Sequence, residues 1–176
     1  DNGAADGLGE LQKQAVNMIT GSISEAFDLS GEDPRTVAKY DTAPLINPNS
    51  NIKSCNNHRN YRDHGQTLGK LMLLARRLCE RGAGFVTVTT NFVWDFHSDK
   101  NNAGAAEGMD YCGVPFDHAV SAFLDDLHDR GLSDQILLVC CGEMGRTPKL
   151  QNNGGRNHWG RLAPLMLAGG GLRMGQ

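Results

Sequence analysis

Seven residues in three short stretches could do chemistry: Asp95 and His97 in "WDFH", Glu143, Arg146 and Thr147 in "GEMGRTP", and Arg156 and His158 in "GRNHW". Carboxylate oxygens mixed with imidazole nitrogens make a donor set suited to zinc, manganese or another divalent ion. Arg146 and Arg156 add planar donor forks of the kind that hold phosphate or sulfate. The glycines at 142, 145, 154 and 155 let the backbone approach a ligand closely. Every one of these groups also has an ordinary structural use. Asp95 could cap a turn beside an exposed His97, Glu143 could pair with Arg146, His158 could pack beside Trp159, and Thr147-Pro148 could open a turn. Their weight is joint, because each stretch follows or precedes a predicted strand.

Those strands and the helices between them are legible as periodicity. "HGQTLGKLMLLARRLCERG" places Leu68, Leu71, Met72, Ala75, Leu78 and Cys79 on one helical face and closes at Gly82, a C′ glycine. "GFVTVTT" alternates with β-branched residues and predicts a strand over 84–90. "VPFDHAVSAFLDDLHDRG" is a second helix, closed by Gly131, with Asp125, Asp126, His128 and Asp129 on its solvated side. The unbroken apolar run "DQILLVCC" predicts a strand buried on both faces, and "APLMLAGGG" a third strand leaving into a glycine turn. Upstream, "LGELQKQAVNMI" at 8–19 has helical spacing, "SISEAF" suggests a shorter helix, and "SGEDPRTVAKY" offers Ser30 or Asp33 as N-cap with Pro34 at the first helical position. Residues 41–63 have no period and predict a long loop or insertion; Cys55, His58 and His64 have no zinc-module spacing and are taken as loop residues. Helices alternating with strands predict an α/β fold with a parallel sheet. Parallel strands would bring 95–97 and 143–147 to one carboxyl edge, where open α/β sheets collect ligands, and His158 would return across it.

The whole-chain properties exclude some classes. At 176 residues the chain is one domain with a true core. A net charge of −3 without a basic run argues against nucleic-acid binding, and no apolar run reaches membrane-span length. Five cysteines without CxxC spacing predict free, mostly buried thiols. The "AGGG" stretch lacks the helix that a dinucleotide fingerprint needs, and no GxSxG elbow occurs.

Taken together, "WDFH", "CGEMGRTP", "GRNHWGRLAPLMLAGGG", "AFDLSGED" and "LARRLCERGAGFVTV" resemble a large bacterial family of uncharacterised proteins grouped with the alkaline phosphatase/sulfatase-like superfamily. The likeness runs from about Ala26 to the end of the chain, interrupted at 41–63. The resemblance implies a three-layer α/β sandwich with a mainly parallel sheet, and a metal-dependent hydrolase of small phosphate or sulfate esters. It implies that Asp95, His97, Glu143 and His158 hold a divalent metal, zinc with manganese or calcium as alternatives. Arg146 and Thr147 would then be the catalytic residues, with Arg146 and Arg156 binding the anion. It also implies export to the periplasm and a chain that is the carboxyl-side part of a longer protein, whose nucleophile lies upstream. Asn157 stands where the family commonly has Asp, and Phe96 where a small Thr is usual. The alternative is a non-catalytic metal- or anion-binding domain; a Rossmann-type nucleotide enzyme lacks its loop.

Overall fold

The longest helices grow from the apolar faces read above but start earlier. The computed structural model describes Lys13, Val16 and residues 23–46, 55–91 and 94–173. The helix expected at 8–19 therefore lies outside the described residues, apart from Lys13 and Val16, which are helical. Helix α1 spans Pro34–Tyr40; Asp33 caps it by accepting from the Arg35 N–H at 2.8 Å, and Pro34 opens it. Short 3₁₀ turns occupy Ser24–Phe27, Leu29–Gly31 and Ala43–Leu45. Helix α2 runs from His58 to Glu80 and α3 from Ala105 to Asp129. Residues 47–54 are outside the described residues.

Both long helices end as their glycines predict. Gly82 and Gly131 take φ of 92° and 68°. Ala83 N–H bonds to Leu78 O and Leu132 N–H to Leu127 O, at 3.0 and 2.8 Å, the reach-back of a Schellman cap. Helix α3 extends through Pro115, which removes one donor from its ladder. Gly108 and Gly113 hide this first part of the helix from a periodicity reading.

Helices α1, α2 and α3 enclose the main core of Tyr40, Leu68, Met72, Leu73, Ala119, Phe123 and Leu127, against which Val88, Ile136 and Leu138 pack. A second core, of Cys55, Tyr61, Phe96, Ala103, Tyr111 and Cys112, lies under the segment that carries Asp95 and His97.

The strands correct the expected architecture. Strand β1 is Leu137–Cys141, β2 Gly145–Arg146, β3 His158–Trp159 and β4 Leu165–Gly169. β1 pairs antiparallel with β4, and β2 antiparallel with β3. No large parallel sheet is formed among the described residues, so the three-layer α/β sandwich is not the fold seen here. The physical reason is the return path. A parallel return needs a long crossover, whereas 142–164 folds back on itself, with Gly142 N–H bonded to Pro164 O at 3.2 Å. The expected strand at 84–90 shows alternating half-burial but joins no ladder; β-branched alternation favours extended backbone without supplying a partner edge. β1 is a strand as expected, yet Leu137 and Val139 are about half exposed rather than buried on both faces.

Candidate metal centre

Asp95 and His97 flank Phe96, and the alternation of an extended chain sends Phe96 to the opposite side from its neighbours. Phe96 is buried, stacked on Tyr61 with centroids 6.2 Å apart, and sits where Gly108 of α3 leaves room for its ring. A Cβ at Gly108 would overlap that ring. Anchoring Phe96 in this way presents Asp95 and His97 on the outer side. Ser98 then turns the chain away at φ 55°, a left-handed conformation that few non-glycine residues adopt.

The second half of the site comes from the β2–β3 ribbon, in which Arg146 is directly opposite His158. The loop joining the two strands clasps the first half. Asn153 Nδ2 donates to His97 O and Ser98 O at 3.1 and 3.0 Å, Ser98 Oγ donates to Asn153 O at 2.6 Å, and Arg156 N–H donates to Phe96 O at 3.0 Å. Gly155 is buried against the backbone of His97, where any Cβ would fall on the His97 carbonyl. Backbone contact, rather than a shared sheet edge, therefore joins the segments.

At the junction, Asp95 Oδ1 lies 3.0 Å from His97 Nε2 and 3.4 Å from His158 Nε2, and the two Nε2 atoms are 2.9 Å apart. These three ligand atoms form a compact triangle. Ligands bonded at about 2.0 Å to a tetrahedral zinc stand about 3.3 Å apart, so the triangle approximates one face of such a tetrahedron. Two imidazole nitrogens facing at hydrogen-bond distance leave room for one proton at most, and a divalent cation satisfies all three donors at once. The donor set and its spacing fit a metal.

Partners behind Asp95 hold it in place. Asp95 Oδ2 accepts from Asn102 Nδ2 at 3.3 Å, buried Asn102 in turn accepts from Asn57 Nδ2 at 2.7 Å, and Tyr61 Oη donates to Asp95 O at 3.4 Å. Such outer partners orient a ligand carboxylate. Asn57, Tyr61 and Asn102 carry no sequence signal, since each reads as an ordinary loop or helix residue until the fold brings it beneath Asp95.

The other predicted site residues are placed differently. Arg146 reaches the triangle, with Nη2 2.5 Å from Asp95 Oδ1 and Nη1 3.3 Å from His97 Nε2. Glu143 is exposed and is not part of the group formed by Asp95, His97 and His158. Arg156 Nη1 donates to the carbonyls of Thr147 and Pro148 at 2.8 and 2.7 Å, which shapes the loop. The Thr147 hydroxyl donates to Lys149 O and accepts from Asn157 N–H, both at 3.2 Å, so it closes a turn.

His64 proves to be a core histidine. Its Nε2 faces Cys112 O at 3.3 Å and must be the donor there, so Nδ1 accepts from the Thr90 hydroxyl at 2.9 Å. Burial lowers its pKa and keeps the ring neutral. Asp126, read as part of a solvated face, is also buried, in the ion network described below.

A family described as a protein of unknown function (DUF1501) matches residues 2–176. The chain belongs to this family. No curated protein and no solved structure matches it significantly. Among the described residues no helix is long and apolar enough to cross a membrane.

Proposed function

We propose that this DUF1501 protein is a metal-dependent hydrolase acting on small phosphate or sulfate esters, with Asp95, His97 and His158 as the protein ligands of one divalent ion. The observation that carries this reading is the convergence of Asp95 Oδ1, His97 Nε2 and His158 Nε2, with separations of 3.0, 3.4 and 2.9 Å. Three protein ligands leave coordination positions open, as in catalytic rather than structural sites. Zinc suits the mixed N/O set best, with manganese as the alternative. When bound, such an ion supplies Lewis acidity toward an ester oxygen.

The chain's own groups do the positioning. Asn102 holds Asp95 so that Oδ1 faces the two imidazoles. Arg146 has a donor fork beside the ligands, where it can bind the non-bridging oxygens of a phosphoryl or sulfuryl group and stabilise charge developing on them. The motif likeness to the alkaline phosphatase/sulfatase-like superfamily, and the periplasmic export it implies, point the same way.

A second reading, a non-catalytic metal- or anion-binding domain, is favoured by one specific observation: the Thr147 hydroxyl is committed to its turn and Arg156 to backbone carbonyls. The two readings separate on one experiment. Wild type, Asp95→Asn and His158→Ala are stripped with chelator, then assayed for bound zinc and manganese and for turnover of p-nitrophenyl phosphate and sulfate. Stoichiometric metal in the wild type, lost in both variants together with turnover, is the expected result. Metal binding without turnover selects the non-catalytic domain, and equal metal content in all three proteins rejects the ligand assignment.

A further inference from the structure

We propose that the Arg146 guanidinium competes with a divalent ion for Asp95 Oδ1: the ion enters only by displacing it, and the displaced arginine then receives an oxyanion. This inference rests on the metal reading above.

Asp95 Oδ1 is the atom on which the competition falls. It contacts Arg146 Nη2 at 2.5 Å and also faces both imidazoles. The same guanidinium sets Nη1 3.3 Å from His97 Nε2, so Arg146 addresses two of the three atoms that a metal needs. A guanidinium and a divalent cation on one carboxylate oxygen would bring two positive charges into contact in a partly buried setting, where screening is weak. One must leave.

Asp95 is restrained from turning, because Oδ2 accepts from Asn102 at 3.3 Å and Asn102 is buried and itself held by Asn57 at 2.7 Å. The backbone of Arg146 cannot retreat either, since its ladder partner is His158, one of the proposed ligands. The side chain can move. Its other bonds go to the carbonyls of Trp94 and Arg156, at 3.3 and 3.5 Å, and with a relative exposure of 25% it has a path toward solvent.

Swung outward on the ribbon that also carries His158, the fork stays beside the metal with its charge unpaired. An oxyanion on the metal's open face would pair with it. Metal and oxyanion therefore bind in order and each strengthens the other, by the same factor in both directions.

The test titrates zinc chloride into chelator-stripped wild type, Arg146→Met and Arg146→Lys by calorimetry, with and without sodium sulfate, and follows thermal melting of each. Without sulfate, Arg146→Met binds zinc about ten- to a hundredfold more tightly than wild type, the factor expected when an occluding state populated at 90–99% is removed. It melts lower without zinc and gains more on adding it. Arg146→Lys falls between, because an ammonium meets one acceptor at a time. Sulfate tightens zinc binding to wild type and not to Arg146→Met. Zinc affinity in both variants equal to or weaker than wild type overturns the displacement, and if Arg146→Met does not fold, Arg146→Lys decides. Equal tightening by sulfate in wild type and Arg146→Met overturns the coupling. Zinc binding that is lost in His158→Ala but indifferent to Arg146 leaves the metal reading standing and removes this one, whereas no zinc binding to any of the proteins removes both.

Discussion

Asp95 shows how little of a carboxylate's placement is decided by the carboxylate itself. Its carboxylate bears on the imidazoles because Asn102 takes the second oxygen and Asn57 takes Asn102. Replacing Asn102 by Ala leaves all three proposed ligands present but lets the carboxylate rotate. Zinc affinity should fall about ten- to a hundredfold, the usual effect of removing an outer partner. Calorimetric titration of Asn102→Ala measures it, and an affinity equal to wild type would mean that Asn102 does not orient the site.

The segment 94–98 and helix α3 work as one unit through a single exchange of volume: Gly108 gives up a side chain so that Phe96 can fill the space. Gly108→Ala, near the start of α3, would ordinarily gain stability, since alanine is the better helix former. Here the Cβ collides with a ring packed against Tyr61, and overpacking of this kind costs about 1–3 kcal/mol. Gly108→Ala is therefore expected to lower stability and, by displacing Phe96, to weaken zinc binding. Phe96→Leu combined with Gly108→Ala should recover part of both, as read by chemical denaturation and calorimetry. Additive losses in the double variant would show that the two positions do not share that space.

Across the molecule, the helices are locked by ions as well as by apolar packing. Arg76 is 1% exposed and bonds Glu32 of the 28–33 turn at 2.8 Å and Glu80 of α2 at 2.7 Å. Its Nε lies 2.8 Å from Asp126 Oδ2 of α3 without hydrogen-bond alignment, a Coulombic contact. Arg130 bonds the same three carboxylates from the other side, and Arg77 holds the carbonyls of Glu25, Ala26 and Asp28. Burial alone would raise the Glu32 pKa; the hydrogen bonds from Arg77 and Arg76 outweigh it and hold the carboxyl below its usual value. Burial also pushes the Tyr40 hydroxyl pKa up, and the Asp126 carboxylate to which it donates at 3.0 Å adds to the rise. Removing one member leaves the others buried and unbalanced, which costs about 3–5 kcal/mol. Arg76→Met should thus lose about 6–20 °C in melting temperature for a chain of this size, while the proposed metal site, on the other core, keeps its zinc affinity in the folded protein. A shift within a degree or two would mean that the network adds little beyond packing.

The amino-acid sequence by itself determined the local features. The cap before Pro34, narrowed to Ser30 or Asp33, the Gly82 and Gly131 terminators, the helical faces of α2 and α3 and the extended β1 and β4 depend on interactions within a turn or two, which neighbouring residues decide. It also marked Asp95, His97, Arg146 and His158, because chemistry-bearing residue types clustered in stretches that follow or precede predicted strands. Tertiary structure alone decided that β1 and β4 pair antiparallel and that 84–90 joins no ladder, since hydrophobic periodicity specifies an extended chain and leaves its partner open. It alone decided that Asp126 is buried, because arginines distant in the chain neutralise it there. And it decided which marked residues meet: Asp95, His97, His158 and Arg146 converge, while Glu143 stays apart, because the β2–β3 ribbon and the clasp at Gly155 bring one face of the loop, and not the other, against the segment anchored by Phe96.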